Sequence, residues 1–341
     1  MDPSNLTTGI PEVQQDIPYL RYVLVTVFFL PCAILIFVEN TFVLLAYKRD
    51  KRIRRNTTNA YILNLAVADI LVSVVMAIYV PVYLTGTWKF GGAFCVVMWV
   101  LDYTATDMSV MTIVAISVDR YLMVHNSLRH LSRQSHKKVA IICSILWMTC
   151  LSSRSTLAFT YSSRTGFLHD ENRIGVCDIG YGKNLVVLII MFLIEFLVPA
   201  ICVFVLNLTV YFRLKRRTNR LQTRQGRYHL PSAVSLDDRA SQTTSCENDD
   251  MRIHRSASGS QHQKAARFLA LLLSVFVLCW LPFYINECYT YFRFSGVRNE
   301  ALTHLVSFVL WLNSAINPFL YAFTNVFFKE NFKQFLRCKG R

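Results

Sequence analysis

Charged residues are scarce in this chain: they make up 17% of its 341 residues, against roughly 25% in soluble proteins. With hydrophobic residues at 53%, this composition excludes a disordered chain and an ordinary soluble two-domain enzyme. Glycine and proline are also few, at 12 and 9 residues, which excludes a collagen-like chain. Acids are rarer than bases, 21 against 36, so the formal net charge is +15. We therefore expect a protein whose main solvent is lipid.

The hydrophobic residues stand in seven continuous runs, each long enough for a helix to cross about 30 Å of hydrocarbon. β-Barrel strands would instead show short alternating segments. Because lipid offers the backbone no hydrogen-bond partner, continuous apolar spans have to be helical. The sequence therefore predicts an all-α fold, a seven-transmembrane helix bundle. The predicted spans are 22–47, 59–84, 95–124, 139–161, 185–212, 266–292 and 301–323.

Basic residues gather at alternate ends of these spans, as in KRDKRIRR at 48–55 and RLKRR from Arg213. Since cytosolic loops carry the excess of Lys and Arg, we predict an outside N-terminus and a cytosolic C-terminus in a multi-pass plasma-membrane protein. The first 20 residues are polar and lack a cleavage pattern, so we expect no cleavable signal peptide. The charge of +15 then favours anionic inner-leaflet lipid as a partner, and we expect no nucleic-acid partner.

The predicted organisation has an extracellular N-terminus at 1–21, a transmembrane domain at 22–323 and a cytoplasmic tail at 324–341. Asn5 begins the glycosylation signal Asn-Leu-Thr on the outer side. The long polar stretch at about 214–262 has few aromatic residues, so we expect a disordered third cytoplasmic loop.

The tail contains NVFFKENFKQFLRCK, in which Phe328, Phe332 and Phe335 recur at helical spacing with lysines on the other face. This pattern predicts a short amphipathic helix on the membrane surface at the C-terminus. Cys338 follows this helix and is a candidate for palmitoylation.

Most of the ten cysteines lie inside the spans, but Cys95 and Cys177 lie on the outer side. Because the outside of the cell is oxidising, we predict a disulfide bond between them. It would hold the second outer loop over the end of the bundle.

Ionisable side chains inside the spans are costly, so they are functional candidates. Asp102 and Arg120 share one face of the third span, 18 residues or about 27 Å apart. Asp102 faces the outer side, where a carboxylate in a cavity attracts a cation. Asp107 lies on the side of the third span that should face Arg154, which predicts a buried ion pair. We assign no role to Glu39 in the first span.

Aromatic residues surround the predicted position of Asp102. Trp280, Phe283 and Tyr284 share one face of the sixth span, and Trp311 lies on the seventh. Aromatic rings around a carboxylate form a typical ammonium site, although rings at helical spacing also serve ordinary packing. Pro282 bends the sixth span beside these rings.

Small polar residues from three spans form a second candidate site deeper in the bundle. We expect them to hold a sodium ion together with waters, and we expect no other metal or cofactor. They are Asp69, Ser109, Asn313 and Asn317.

Each of the seven spans carries a recognisable residue or short motif. They are Asn40, NLAVAD ending at Asp69, DRY at 119–121, Trp147, Pro199, CWLP at 279–282 and NPFLY at 317–321. With these motifs the chain resembles the class A (rhodopsin-like) G-protein-coupled receptors, and the resemblance covers every span. It implies that the protein is a receptor and not an enzyme, with heterotrimeric G proteins, arrestin and receptor kinases as partners. The resemblance assigns the switch and the G-protein contact to Asp119, Arg120, Tyr121, Pro282, Pro318 and Tyr321.

Within this family the chain looks most like aminergic receptors, in particular histamine receptors of the third and fourth types. The seventh span contains no lysine, so the chain is not an opsin. Asp102 stands seven residues after Cys95, where aminergic receptors bind the ammonium, and Glu195 on the fifth span would receive the ligand's other end. The implied ligand-binding residues are Asp102, Tyr103, Thr106, Glu195, Trp280, Phe283, Tyr284 and Trp311.

The resemblance implies coupling to the inhibitory class of G protein. His262 stands where many members have an acid that holds the DRY arginine, so we predict measurable basal signalling.

Several alternatives stay open at this point. Another amine, acetylcholine or a monoamine, would also use Asp102, and an orphan or peptide receptor would share the same spans. Glu195 would then be a carboxylate paired with another helix. A transporter or channel would need a charged path through the whole bundle or inverted repeats, and the sequence shows neither. An intramembrane enzyme would need a paired nucleophile and base or a set of metal ligands; the sequence has no HExxH motif, and its histidines lie mainly in loops.

Overall fold

The computed structural model describes residues 22–126, 132, 134–164, 177, 179, 184–228, 270–292 and 300–337. In these residues seven helices are long and apolar enough to cross a membrane, and there is no β-strand, which confirms the predicted fold class. The spans are Tyr22–Arg49, Asn59–Thr85, Gly92–His125, His136–Arg164, Leu185–Arg216, Ala270–Phe292 and Leu302–Phe323.

The surface of the bundle carries large aliphatic side chains, as expected where lipid is the solvent. Ile34, Ile145 and Ile194, on the first, fourth and fifth spans, are each more than half exposed. The third span packs against three other spans, the second, fourth and fifth. Polar bonds tie these spans together in the interior: Trp147 donates to Asn64 at 2.9 Å, and the Asn64 amide donates to Thr112 at 2.8 Å.

The outer end is fixed by the predicted Cys95–Cys177 disulfide, which the structure contains. Just before it, Trp88 is buried and its indole N–H donates to the carbonyl of Gly91 at 2.8 Å. Gly91 has a φ of 80°, a left-handed conformation that a residue with a Cβ rarely adopts. The turn therefore starts the third span in a defined position at Gly92, ten residues before Asp102.

The predicted C-terminal helix forms at Val326–Leu336, after Asn325 accepts a hydrogen bond from the backbone N–H of Phe327. Its apolar face packs inward: Phe328 is fully buried, and the Phe335 ring lies 5.3 Å from that of Phe42 on the first span. The predicted shared face of phenylalanines is thus confirmed, and it contacts the bundle itself.

Asp50 anchors this surface helix to the end of the first span. Its carboxylate accepts hydrogen bonds from Arg52 at 2.9 Å and from the Asn331 amide at 2.9 Å. Arg52 also reaches Glu330 on the surface helix at 3.0 Å. The hydrogen bonds from Arg52 are the main cause that lowers the pKa of Asp50 to about 2.

The fifth span departs from the prediction at its cytosolic end. Its last helical segment runs Val198–Tyr228, so residues 214–228 are helical rather than disordered. The reason is local: this stretch is rich in Leu, Arg, Lys and Gln, all good helix formers, and lacks proline.

Several predictions fall outside the described residues. They concern the rest of the third cytoplasmic loop, the start of the sixth span at 266–269, Asn5, His262 and Cys338.

Candidate ligand-binding site

Asp102 lies in a cavity of about 40 Å³ between the third, sixth and seventh spans. The indole N–H of Trp311 donates to its carboxylate at 3.3 Å. Six of the eight predicted ligand-binding residues line this cavity; only Glu195 and Tyr284 do not. The lining consists of Asp102, Tyr103, Thr106, Trp280, Phe283, Ser307, Leu310 and Trp311.

The aromatic side chains of the cavity are held rigidly. Trp280, Phe283 and Trp311 are all at least nine-tenths buried, and the Trp280 ring stacks 6.2 Å from that of Tyr284. The indole N–H of Trp280 has no hydrogen-bond partner among the described residues. A buried donor of this kind is costly, so it offers a bond to an acceptor that enters the cavity.

Sequence reasoning missed Ser307 and Leu310, which line the cavity from the seventh span. Together with Trp311 they occupy positions i, i+3 and i+4 on one helical face. That spacing was the signal that would have found them, since Trp311 was already placed at the site.

Glu195 does not line the cavity. It lies in the π-helical turn Phe192–Leu197 of the fifth span and is buried. The hydroxyl of Tyr284 donates to its carboxylate at 2.8 Å, and Arg154 forms an ion pair with it. Its pairing with another helix, which the sequence left open, is therefore what the structure shows.

The predicted Arg154–Asp107 pair is confirmed. The guanidinium of Arg154 donates two hydrogen bonds to the carboxylate of Asp107, from Nε to Oδ2 at 2.6 Å and from Nη2 to Oδ1 at 2.8 Å. The exposed fractions of the two side chains are 4% and 9%. The same Nη2 also reaches Glu195, so two carboxylates share one cation. We call Arg154, Asp107 and Glu195 the buried triad.

Two cavity residues connect the buried triad to the Asp102 site. The guanidinium lies over the ring of Tyr103, 5.0 Å from its centre, a cation–π distance. Thr106, also in the cavity lining, directly precedes Asp107 in the third span.

The predicted sodium-site residues partly come together around Asp69, which is fully buried. Ser109 donates to one carboxylate oxygen at 2.9 Å, and the Asn317 amide donates to the other at 2.9 Å. Ser314, which sequence reasoning missed, also bonds to Asp69. Asn313 is buried nearby, without a hydrogen bond to Asp69 among the described contacts. The Oδ1 of Asn317 is buried without a partner, so the oxygen-rich set fits a hard cation.

At the cytosolic end, the carboxylate of Asp119 accepts hydrogen bonds from Thr58 at 2.7 Å and from Gln134 at 2.8 Å. Within the described part of the chain, the neighbouring Arg120 makes no hydrogen bond or ion pair. Tyr121 packs beside Arg213, whose guanidinium lies 5.7 Å from its ring centre. The remaining switch residues lie where predicted, with Pro282 and Pro318 inside the sixth and seventh helices and Tyr321 fully buried.

A larger cleft of about 520 Å³ lies beside Asp119, between the third and fourth spans. Its walls include Val118, Leu122 and Ile142, which are exposed on the outside of the bundle. This cleft contains none of the predicted ligand-binding residues.

These features agree with the comparisons to known proteins. The family model described as "7 transmembrane receptor (rhodopsin family)" matches residues 39–321. The chain therefore belongs to the rhodopsin family of seven-transmembrane receptors, which are not enzymes. It is a multi-pass membrane protein.

Relatives of this chain include several amine receptors. The alpha-1D adrenergic receptor of Homo sapiens is 28% identical over 92% of this chain and 56% of its own length. The octopamine receptor beta-2R of Chilo suppressalis is 28% identical, covering 88% and 76%. The histamine H4 receptor of Rattus norvegicus is 28% identical, covering 89% and 90%. The chain thus spans little more than half the length of the adrenergic relative.

Proposed function

We propose that this protein is a plasma-membrane receptor for a small biogenic amine, most specifically histamine, and that it activates heterotrimeric G proteins of the inhibitory class. The N-terminus is outside and the C-terminus is in the cytosol. The observation that carries the proposal is Asp102 in an aromatic cavity, where the neutral indole N–H of Trp311 at 3.3 Å is its one hydrogen-bond partner among the described residues. A carboxylate held in this way lacks a counter-ion, and an ammonium supplies one.

Ligand binding changes the cavity, because its volume of about 40 Å³ holds little more than one water molecule. The ammonium takes the place of the Trp311 bond at Asp102. The organic part of the ligand then presses against Trp280, which lies two residues before Pro282 in the sixth span. The bend at Pro282 transmits this displacement to the cytosolic end of that span. The ligand activates only to the extent that it binds the displaced state more tightly.

At the cytosolic end, we assign the G-protein contact to Arg120, whose guanidinium makes no direct hydrogen bond or salt bridge to a described residue, although the neighbouring Asp119 attracts it electrostatically. Asp69 with Ser109 and Asn317 would hold a sodium ion, whose charge would balance the buried carboxylate. Arrestin and receptor kinases are further partners of the cytosolic face.

Histamine is favoured because it has two polar ends, an ammonium for Asp102 and an imidazole for Glu195 and Tyr284. This chain also covers 90% of the rat histamine H4 receptor's own length, against 56% for the adrenergic and 76% for the octopamine relative. A monoamine is the second candidate, since the adrenergic and octopamine relatives are equally identical. Acetylcholine and an orphan or peptide ligand rank below both, because no contact in the site favours either.

The test is a G-protein activation assay in transfected cells with histamine, octopamine, noradrenaline and acetylcholine. The variants are Asp102→Asn and Glu195→Gln, with Asp102→Glu as the matched control that keeps the charge. Histamine should activate the parent. Asp102→Asn should lose at least about tenfold in potency, the factor for one charge-assisted hydrogen bond, and Asp102→Glu should recover part of it.

The outcomes separate the candidates. A response to a monoamine with a neutral Glu195→Gln would keep the amine receptor but replace histamine. If no amine acts on a receptor that reaches the surface, or if Asp102→Asn responds as the parent does, the amine proposal fails.

A further inference from the structure

The buried triad has an uneven charge balance. With both carboxylates ionised, Asp107 and Glu195 carry two negative charges against the single positive charge of Arg154. All three residues are more than nine-tenths buried, where an uncompensated charge is expensive. Tyr284 helps Glu195 with one neutral hydrogen bond at 2.8 Å. The buried triad therefore lacks one positive charge.

The two contacts of Arg154 differ in kind. The contact with Asp107 is bidentate and aligned, through Nε and Nη2, the geometry in which Arg binds carboxylate most strongly. The contact with Glu195 uses only the Nη2 that Asp107 already engages. Glu195 can therefore be released while Arg154 stays bound to Asp107. The remaining nitrogen, Nη1, lies 3.4 Å from the sulfur of Met191, a weak acceptor.

The triad also lies within reach of the Asp102 cavity. Tyr103 forms part of the cavity wall, and the guanidinium of Arg154 lies over its ring. Phe283, another wall residue, packs against Tyr284 with ring centres 5.4 Å apart. Asp107 is five residues beyond Asp102, about 7.5 Å along the helix axis. Two contacting side chains, Phe283 and Tyr284, therefore lead from the wall of the Asp102 cavity to Glu195.

We propose that Arg154 is a specificity-determining residue that acts as a tethered counter-ion of Glu195. The guanidinium of Arg154 stays paired with Glu195 until a ligand with a second cationic or donor end binds that carboxylate. Arg154 then remains paired with Asp107 alone. A ligand with a single cationic end gains nothing at Glu195, because it cannot replace the guanidinium. Arg154 therefore sets the preference between two-ended and one-ended amines, and it lowers that preference, because only a two-ended amine has to displace the guanidinium from Glu195. This inference rests on the proposed amine function.

The test compares two probes that share an ethylamine chain: histamine, with a second polar end, and 2-phenylethylamine, without one. Binding to the purified full-length receptor is measured as ligand-induced thermal stabilisation, which does not depend on signalling. The variant Asp107→Asn/Arg154→Gln removes both charges of the ion pair and leaves Glu195 to the ligand. The ratio of histamine affinity to 2-phenylethylamine affinity should rise about tenfold, since one charge-assisted hydrogen bond no longer has to be exchanged.

Adding Glu195→Gln to this variant should abolish the gain. If the double variant does not reach the membrane, Arg154→Lys serves instead. A lysine lacks the planar fork that serves two carboxylates at once, so the ratio should rise in the same direction by a smaller factor.

The inference is overturned if the ratio is unchanged or falls, which would mean that Arg154 is scaffold or itself binds the ligand. It is also overturned if the gain survives Glu195→Gln. The proposed function fails separately, if neither probe nor any other amine binds the parent or the variants. A parent that binds 2-phenylethylamine, with no histamine gain in the variant, would leave the amine receptor standing and refute only the role of Arg154.

Discussion

Single removals from the buried triad should differ sharply in their cost to stability. Arg154→Met leaves Asp107 and Glu195, with side chains 9% and 7% exposed, without any cation. Breaking a buried ion pair in this way costs about 3–5 kcal/mol. Asp107→Asn leaves Arg154 paired with Glu195, so the expected loss is that of weakened hydrogen bonds, about 1–3 kcal/mol. Arg154→Met should therefore be the more damaging change by roughly 2 kcal/mol.

The assay is the thermal inactivation rate of the purified receptor without ligand, together with its surface expression. Unfolding of such proteins is often irreversible, so the order of half-lives is the robust readout. The triple variant Asp107→Asn/Arg154→Met/Glu195→Gln, which removes every charge of the triad, should recover stability above that of Arg154→Met. Equal losses for Arg154→Met and Asp107→Asn, or a triple variant no better than Arg154→Met, would refute the shared-cation reasoning.

Three further changes test other parts of the bundle. Glu39 is buried and neither carboxylate oxygen has a hydrogen-bond partner among the described residues; Glu39→Leu should raise thermal stability by about 1–3 kcal/mol, and a loss would reveal a partner or a function. The pKa of Asp50 is lowered to about 2, below roughly 3.9 in an unfolded chain. The stability that ionised Asp50 contributes to the fold is therefore present above about pH 4 and is lost as the pH falls towards 2. The difference in stability between the parent and Asp50→Asn should shrink over that interval, and a difference that stays constant would contradict the role of Asp50 in holding the surface helix. Basal signalling should be measurable in the parent and reduced by His262→Glu, which supplies an acid for Arg120; a silent parent at high expression would count against it.

The spans could be predicted from sequence because hydrocarbon thickness alone sets the length of an apolar run. The Asp107–Arg154 pair was also predictable, because Asp107 lies on the side of the third span that faces the fourth span, which carries Arg154. The third partner was not. Glu195 lies in a π-helical turn, and the extra residue in that turn changes which way the following side chains point. Helical spacing from the sequence could not reveal this rotation.

The reach of the fifth helix to Tyr228 was missed for a different reason. Polar composition was taken to mean disorder, but arginine, lysine, glutamine and leucine are good helix formers, and a helix already begun at Val198 extends through them without a new nucleus. Composition separates lipid-facing from water-facing residues; it does not separate a solvated helix from a solvated coil.

The buried acids of the bundle differ in how well they are satisfied and in whether they line a cavity, and the two properties together single out the ligand anchor. Glu39 has no hydrogen-bond partner among the described residues, but it lines neither of the two cavities described above. Asp107 is held by a guanidinium at 2.6 and 2.8 Å. Asp69 accepts hydrogen bonds on both oxygens, each at 2.9 Å. Asp102 accepts one bond from a neutral indole at 3.3 Å, and it lines a cavity. Since a carboxylate binds an added cation most readily where no other group already balances its charge, Asp102 is the acid best placed to receive one from outside.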